Sequence, residues 1–100
     1  MSGKGFQSIS GKNGSDPEIS FLDPKEVRVN WEGTVKIVGS NFDNGSFALF
    51  SGAVPKTAFI SEGVLEAAVT KEITNQAGTK DVLVHTSAGL ESNTVPFVVK

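Results

Sequence analysis

From Glu18 onward the chain is cut into short runs rich in Val, Ile, Phe and Thr, and every cut is made by turn-forming residues. The runs are Glu18–Leu22, Glu26–Val29, Thr34–Val38, Phe47–Phe50, Val54–Ile60, Val64–Thr70, Lys80–Thr86 and Val95–Val99. Between them lie Asp23-Pro24, Gly39-Ser40-Asn41, Asp43-Asn44-Gly45, Ser61-Glu62-Gly63, Asn75 to Gly78 and Ala88-Gly89. β-Branched and aromatic side chains fit a pleated surface, and Gly, Asn, Asp and Pro reverse the chain. The one rival is a helix over Glu62–Ile73, where Leu65, Ala68, Val69 and Glu72 share a helical face. Gly63 and the β-branched Val64, Val69, Thr70 and Ile73 argue against it, so the segment is read as a strand. Many short strands without a convincing helix predict an all-β sandwich or barrel.

Alternation along the runs assigns faces. Val35 and Ile37 point inward while Lys36 meets water, Val82 and Val84 oppose Leu83 and His85, and Val95, Phe97 and Val99 alternate with Pro96 and Val98. With Ile19, Leu22, Phe42, Phe50, Leu65, Ala67 and Val69 these form the expected core. Pro96 lacks an amide hydrogen, which predicts an edge strand or a position near a strand end.

A chain of 100 residues with 38% hydrophobic residues has material for one core, not two. No cysteine is present, so disulfides and thiolate metal sites are excluded and packing alone must hold the layers. The 9 basic and 11 acidic residues are scattered, and the net charge is −2, which leaves nucleic-acid or anionic-membrane binding without its driving force. No apolar run approaches the ~20 residues of a membrane span, so membrane insertion is not expected. Residues 1–16, MSGKGFQSISGKNGSD, offer only Phe6 and Ile9 for burial and read as a flexible linker, with the folded domain over 17–100. Without the apolar stretch of a signal peptide, the sequence is either cytoplasmic or a segment of a longer secreted chain, and the second reading, with an extracellular or cell-surface setting, is preferred.

The punctuation carries a resemblance. Pro17-x-Ile19-x-x-Leu22-x-Pro24 followed by Gly33-Thr34-Val35-Lys36-Ile37-Val38-Gly39-Ser40-Asn41-Phe42 resembles the opening of an IPT/TIG immunoglobulin-like domain of bacterial type. Ala48-Leu49-Phe50-Ser51-Gly52, Val82-Leu83-Val84 with Thr86-Ser87-Ala88-Gly89, and Val95-Pro96-Phe97-Val98-Val99 resemble its later strands in order. Glu32 and Ser51 stand where that family often has glycine. The resemblance implies an immunoglobulin-like β-sandwich of about seven to eight strands, of the E-set type and without a disulfide. Gly39 would let the strand bend, Phe42 would plug the sandwich end, and Asn41 would cap its turn. The family includes bacterial surface and secreted proteins, accessory domains of starch-processing enzymes, animal receptors and dimerising transcription-factor domains, so the fold alone does not choose a function.

Catalytic chemistry finds little support. His85 is the single histidine, it lies on the outward side of a strand, and no Gly-x-Ser-x-Gly elbow accompanies it. The acids are spread over turns and strand exteriors, where solvation explains them. Asn41, Asp43 and Asn44 ahead of Gly45 resemble half of a calcium loop, with Asp16, Asp23 and Asp81 as conceivable spatial partners, but Gly52 stands where the closing acid belongs. Turn formation suffices for these residues. No phosphate-cradling glycine loop is present, and no cofactor is expected. Asn13-Gly14-Ser15 and Asn44-Gly45-Ser46 are formal glycosylation sequons, read as coincidental.

The informative anomaly is Phe47-Ala48-Leu49-Phe50, whose four apolar residues cannot share one face. With Ala48 and Phe50 inward, Phe47 and Leu49 point out, and Phe21 and Leu83 are likewise surplus to the core. Such a cluster marks a contact with a neighbouring domain or subunit, or a surface covered by a loop or by residues 1–16. Trp31, the single tryptophan, is the candidate for glycan stacking, and half-buried packing over a sandwich edge is its alternative. The expectation is a non-enzymatic interaction or spacer module of a larger bacterial surface, secreted or virion-associated protein. The alternative is an accessory carbohydrate-binding domain of a polysaccharide-processing protein.

Overall fold

A computed structural model describes residues 16–100, and the sequence reading of 1–15, including Phe6, Ile9 and the Asn13 sequon, lies outside the described residues. The strands are β1 (Glu18–Asp23), β2 (Glu26–Val27), β3 (Gly33–Ser40), β4 (Phe47–Phe50), β5 (Lys56–Ser61), β6 (Val64–Val69), β7 (Gly78–His85) and β8 (Val95–Val99), with one helical turn, α1 (Lys71–Thr74), between β6 and β7. They form two four-stranded sheets, ordered β1-β3-β6-β5 and β2-β8-β7-β4. All pairings are antiparallel except the short β2–β8 contact. The expected strand over Val64–Thr70 is β6, and the helical alternative shrinks to the single turn that follows it.

The two sheets meet through their alternating inner residues. Val35, Ile37, Leu65, Ala67 and Val69 from the first face Ala48, Phe50, Val82, Val84, Phe97 and Val99 from the second, all buried. Phe50 and Phe97 meet edge to face at 5.2 Å and 82°, the arrangement that the ring quadrupoles favour. Val95, expected inside, is only partly buried beside this core, because it opens β8 at the end of the sandwich. Val27 and Ile73 join the core without having been anticipated. Val27 is drawn in by the parallel pairing of β2 with β8, and Ile73 by α1 folding back across the end of the sheets. Three buried hydroxyl residues are all satisfied. Ser46 bonds Asp43, Thr74 Oγ1 donates to the Trp31 carbonyl at 2.7 Å, and Thr86 Oγ1 accepts from Leu90 N.

Three of the four outer strand edges are shielded by local devices. Asn93 acts on β1 as a missing strand would: its side-chain oxygen accepts from Ile19 N at 2.7 Å and its amide donates to the Ile19 carbonyl at 3.0 Å. On β4, Thr57 Oγ1 accepts from Ala48 N, and Phe50 exchanges two backbone hydrogen bonds with Ala53. β2 is only two residues long. β8 is not an edge strand, since it lies between β2 and β7. Val98 N and Lys100 N donate toward β2, so by alternation Pro96 faces that side just before the pairing begins, where no amide is required.

Gly39 serves close approach, not a special backbone conformation. It lies within β3, and a Cβ there would collide with the Glu18 carbonyl of β1 and stand 2.9 Å from the Phe42 ring. Phe42 is buried as the end plug. Asn41 adopts the left-handed conformation at φ 65°, and its side chain donates to the Asp16 carbonyl and not to its own turn. Ser51, in the left-handed region at φ 49°, donates through its backbone N to the Asp81 carbonyl and accepts from Asp81 N through its hydroxyl, bonds that help hold a conformation in which glycine is customary. The domain is entered at Glu18, beside Ser40, and left at Lys100, beside Val29 and one residue beyond the Val99–Gly78 pair, so entry and exit lie at opposite poles. Gly39→Ala is expected to lower unfolding stability by about 1–3 kcal/mol, as overpacking does, measured by chemical denaturation.

Candidate functional site

The outer face of the second sheet carries an apolar ladder built by register. Phe47 stands opposite His85, and Leu49 opposite Leu83, across β4 and β7. Because Ala48 and Phe50 supply the inward positions, Phe47 and Leu49 must point away from the core; the same parity turns Leu83 and His85 outward while Val82 and Val84 point in. Phe47 is 37% exposed and stacks on the His85 ring, with centroids 5.5 Å apart and planes at 21°. Leu49 and Leu83 are half-buried. His85 Nε2 lies 2.8 Å from Glu91 Oε2, which ends the ladder with a charged rim. The rim continues with Asp81 and Thr79, paired to Pro96 and Val98 of β8.

Phe21 does not belong to this cluster. It lies on the outer face of the other sheet, 53% exposed, opposite Val38, which is itself opposite Val64. Ile60, 54% exposed at the irregularity of β5, lies at the far end of the same row. The described residues therefore carry an apolar row on the outer face of each sheet, back to back. Val38 and Val64 could have been found from the parity that places Lys36 and Glu66 outside, whereas the exposure of Ile60 depends on a register shift that no local pattern announces.

Trp31 sits at the exit pole. Its ring packs against the core and over Gly33, where an added Cβ would stand 2.5 Å from Cζ2 and 2.8 Å from Cη2. Its carbonyl is held by Thr74 and its amide donates to Arg28. Glu32, the other departure from glycine, accepts from Lys71 N with Oε2 and pins the start of α1. The tryptophan is thus half-buried over the sandwich end, with its ring covered on the Gly33 side.

The Asp43 turn is the most polar construction in the fold. Asp43 Oδ1 accepts from Gly45 N, Ser46 Oγ and Ser87 N, each at 3.1 Å, and Oδ2 accepts from Ser87 Oγ at 2.7 Å. Desolvation pushes this carboxyl up, but the hydrogen bonds from Ser87, Ser46 and Gly45 together outweigh it and hold the pKa below the ordinary carboxylate value of 3.8. Its oxygens thus serve to join two turns. Of the other acids named with it, Asp23 and Asp81 lie on different sheets, and Asp16 meets Asn41 through its backbone carbonyl, not its carboxylate. Among the described residues, no three His, Asp or Glu side chains converge as metal ligands would. No helix among them is long and apolar enough to cross a membrane.

No protein-family profile and no curated protein sequence matches the chain. Solved structures do. A γ-CGTase from alkalophilic Bacillus clarkii superposes with a TM-score of 0.71 at 21% identity, over 85% of this chain and 12% of that one. The TIG domain of human nuclear factor of activated T-cells, cytoplasmic 4, gives 0.63 at 18% identity, over 89% and 92%. The Bacteroides ovatus mixed-linkage glucan utilization locus protein SGBP-B, solved with a mixed-linkage heptasaccharide, gives 0.61 at 17%, over 93% and 24%. The chain thus has the immunoglobulin-like fold of a TIG domain, and it spans about an eighth of the enzyme and a quarter of the glucan-locus protein.

Asp43 sets an acid dependence. A carboxyl whose pKa is depressed by folding contributes stability that is complete above its unfolded value and lost as the pH falls through the folded one. Asp43→Ala should lower stability by about 1 kcal/mol at neutral pH, given a half-exposed site. In denaturant titrations its difference from the parent should shrink as the pH falls below 3.8.

Proposed function

We propose that this chain is a non-catalytic interaction or spacer module of a larger bacterial surface, secreted or virion-associated protein, docking a neighbouring domain or subunit through the Phe47–Leu49–Leu83 face. The observation that carries the reading is the apolar ladder on β4 and β7. The core is already complete beneath it, so packing does not require these side chains to be apolar. A half-exposed aromatic flanked by aliphatics and rimmed by His85, Glu91 and Asp81 has the composition of an interface centre. The small share that this fold occupies in the glucan-locus protein and the CGTase supports a modular role, and the saccharide-bound neighbour supports an extracellular or cell-surface setting. Its scattered charge suits neither nucleic acid nor membrane insertion.

A second reading, an accessory carbohydrate-binding domain of a polysaccharide-processing protein, is favoured by the likeness to the glucan-locus protein solved with its heptasaccharide. In this chain it would rest on Trp31, whose ring is partly covered at Gly33.

Joint replacement Phe47→Ser and Leu49→Ser should weaken association with the adjoining domain or subunit by about 2–4 kcal/mol. The fold should be retained by circular dichroism and unfolding midpoint; unaltered association would refute the docking face. Titration of Trp31 fluorescence with mixed-linkage glucan and starch oligosaccharides separates the second reading. A saturable shift would favour glycan binding, and a flat response is expected if the module is purely a protein contact.

A further inference from the structure

The Asn44-Gly45 pair lies beyond anything the docking reading uses. Both residues are exposed at the tip of a turn closed by a hydrogen bond from Ser46 N to the Asp43 carbonyl at 3.0 Å. Asparagine followed by glycine is the dipeptide most open to spontaneous deamidation, because no Cβ hinders attack by the glycine nitrogen. In that reaction Gly45 N gives up its proton and bonds to Asn44 Cγ. The Cγ–Nδ2 bond breaks and ammonia leaves. Water then opens the cyclic imide to an aspartyl or isoaspartyl linkage.

The packing here both imposes this liability and restrains it. Glycine is required at 45, since a Cβ there would lie 2.6 Å from Ser87 Cβ. Yet Gly45 N, the nucleophile, donates to Asp43 Oδ1 at 3.1 Å, and that carboxylate is itself gripped by the amide and hydroxyl of Ser87 from a distant turn. Attack on Asn44 therefore has to break a charge-assisted bond, and it has to place developing negative charge on a nitrogen beside a carboxylate. Asn44 itself has no part in that grip. An isoaspartyl link would add a methylene to the turn backbone and draw Ser46 and Gly45 away from Asp43, undoing the clasp in one direction only.

We propose that Asn44 is a latent deamidation site, kept closed by the Asp43–Ser87 clasp and released when the clasp opens. The test is peptide mapping by mass spectrometry of the whole chain, with the rate at Asn44 in the folded protein divided by that of the same protein in concentrated guanidinium chloride. The parent should deamidate at Asn44 at least about tenfold more slowly folded than unfolded, which corresponds to ~1.4 kcal/mol of barrier. Asp43→Ala should bring that ratio close to unity, and Ser87→Ala, which leaves the Gly45 bond in place, should move it part of the way. Val84→Ala, a core variant that destabilises while leaving the clasp intact, should retain the slow folded rate. Equal folded and unfolded rates in the parent, or acceleration in Val84→Ala matching that in a clasp variant of equal stability, would overturn the proposal.

Discussion

Phe50 and Phe97 project from the inner face of the second sheet, and their burial against the inner residues of the first holds the two layers together without a covalent link. The two rings, from β4 and β8 of that one sheet, meet edge to face at 5.2 Å, and Val35, Ile37 and Leu65 of the first sheet share the same buried cluster with them and with Val82 and Val84. A cysteine-free sandwich has only such burial to offset the conformational entropy of ordering its strands. The remaining features of the fold keep that interior closed. Phe42 seals the entry pole, while Ile73 and Trp31 cover the exit pole.

Burial of this kind requires strand edges that do not invite further pairing, and the chain manages them one by one. Asn93 substitutes for a neighbouring strand on β1, while Thr57 and Ala53 occupy the amides of β4. β5 carries Lys56 and a register irregularity, both of which discourage edge-to-edge association. Because β4 is closed along its edge, the apolar ladder above it is offered as a face. What this part of the sheet presents outward is the side chains of Phe47, Leu49 and Leu83, not a free strand edge.

The polar clasp at Asp43 shows how a surface turn can be as constrained as the core. Its hydrogen bonds link two turns that are distant in sequence, and the approach of Ser87 permits only glycine at 45. The stability of the entry pole therefore depends on an ionised carboxylate, and its chemical durability depends on the same bonds. Trp31 over Gly33 makes a comparable arrangement at the other pole, with Thr74 holding the backbone beneath the ring.

Strand identity, the inward residues of β3, β6 and β7, and the outward turn of Phe47 and Leu49 could all be read along the chain. They depend only on the period of two and on turn chemistry, which are local properties. The separation of Phe21 from Phe47 could not, because it depends on which strand joins which sheet, and surplus apolar residues look alike until that partition is known. The recruitment of Val27 and Ile73, the true reason for Gly39, and the joining of Asp43 to Ser87 were likewise decided by tertiary structure. Each is a meeting of segments far apart in sequence, and the energy of such a meeting appears only when both have taken their places.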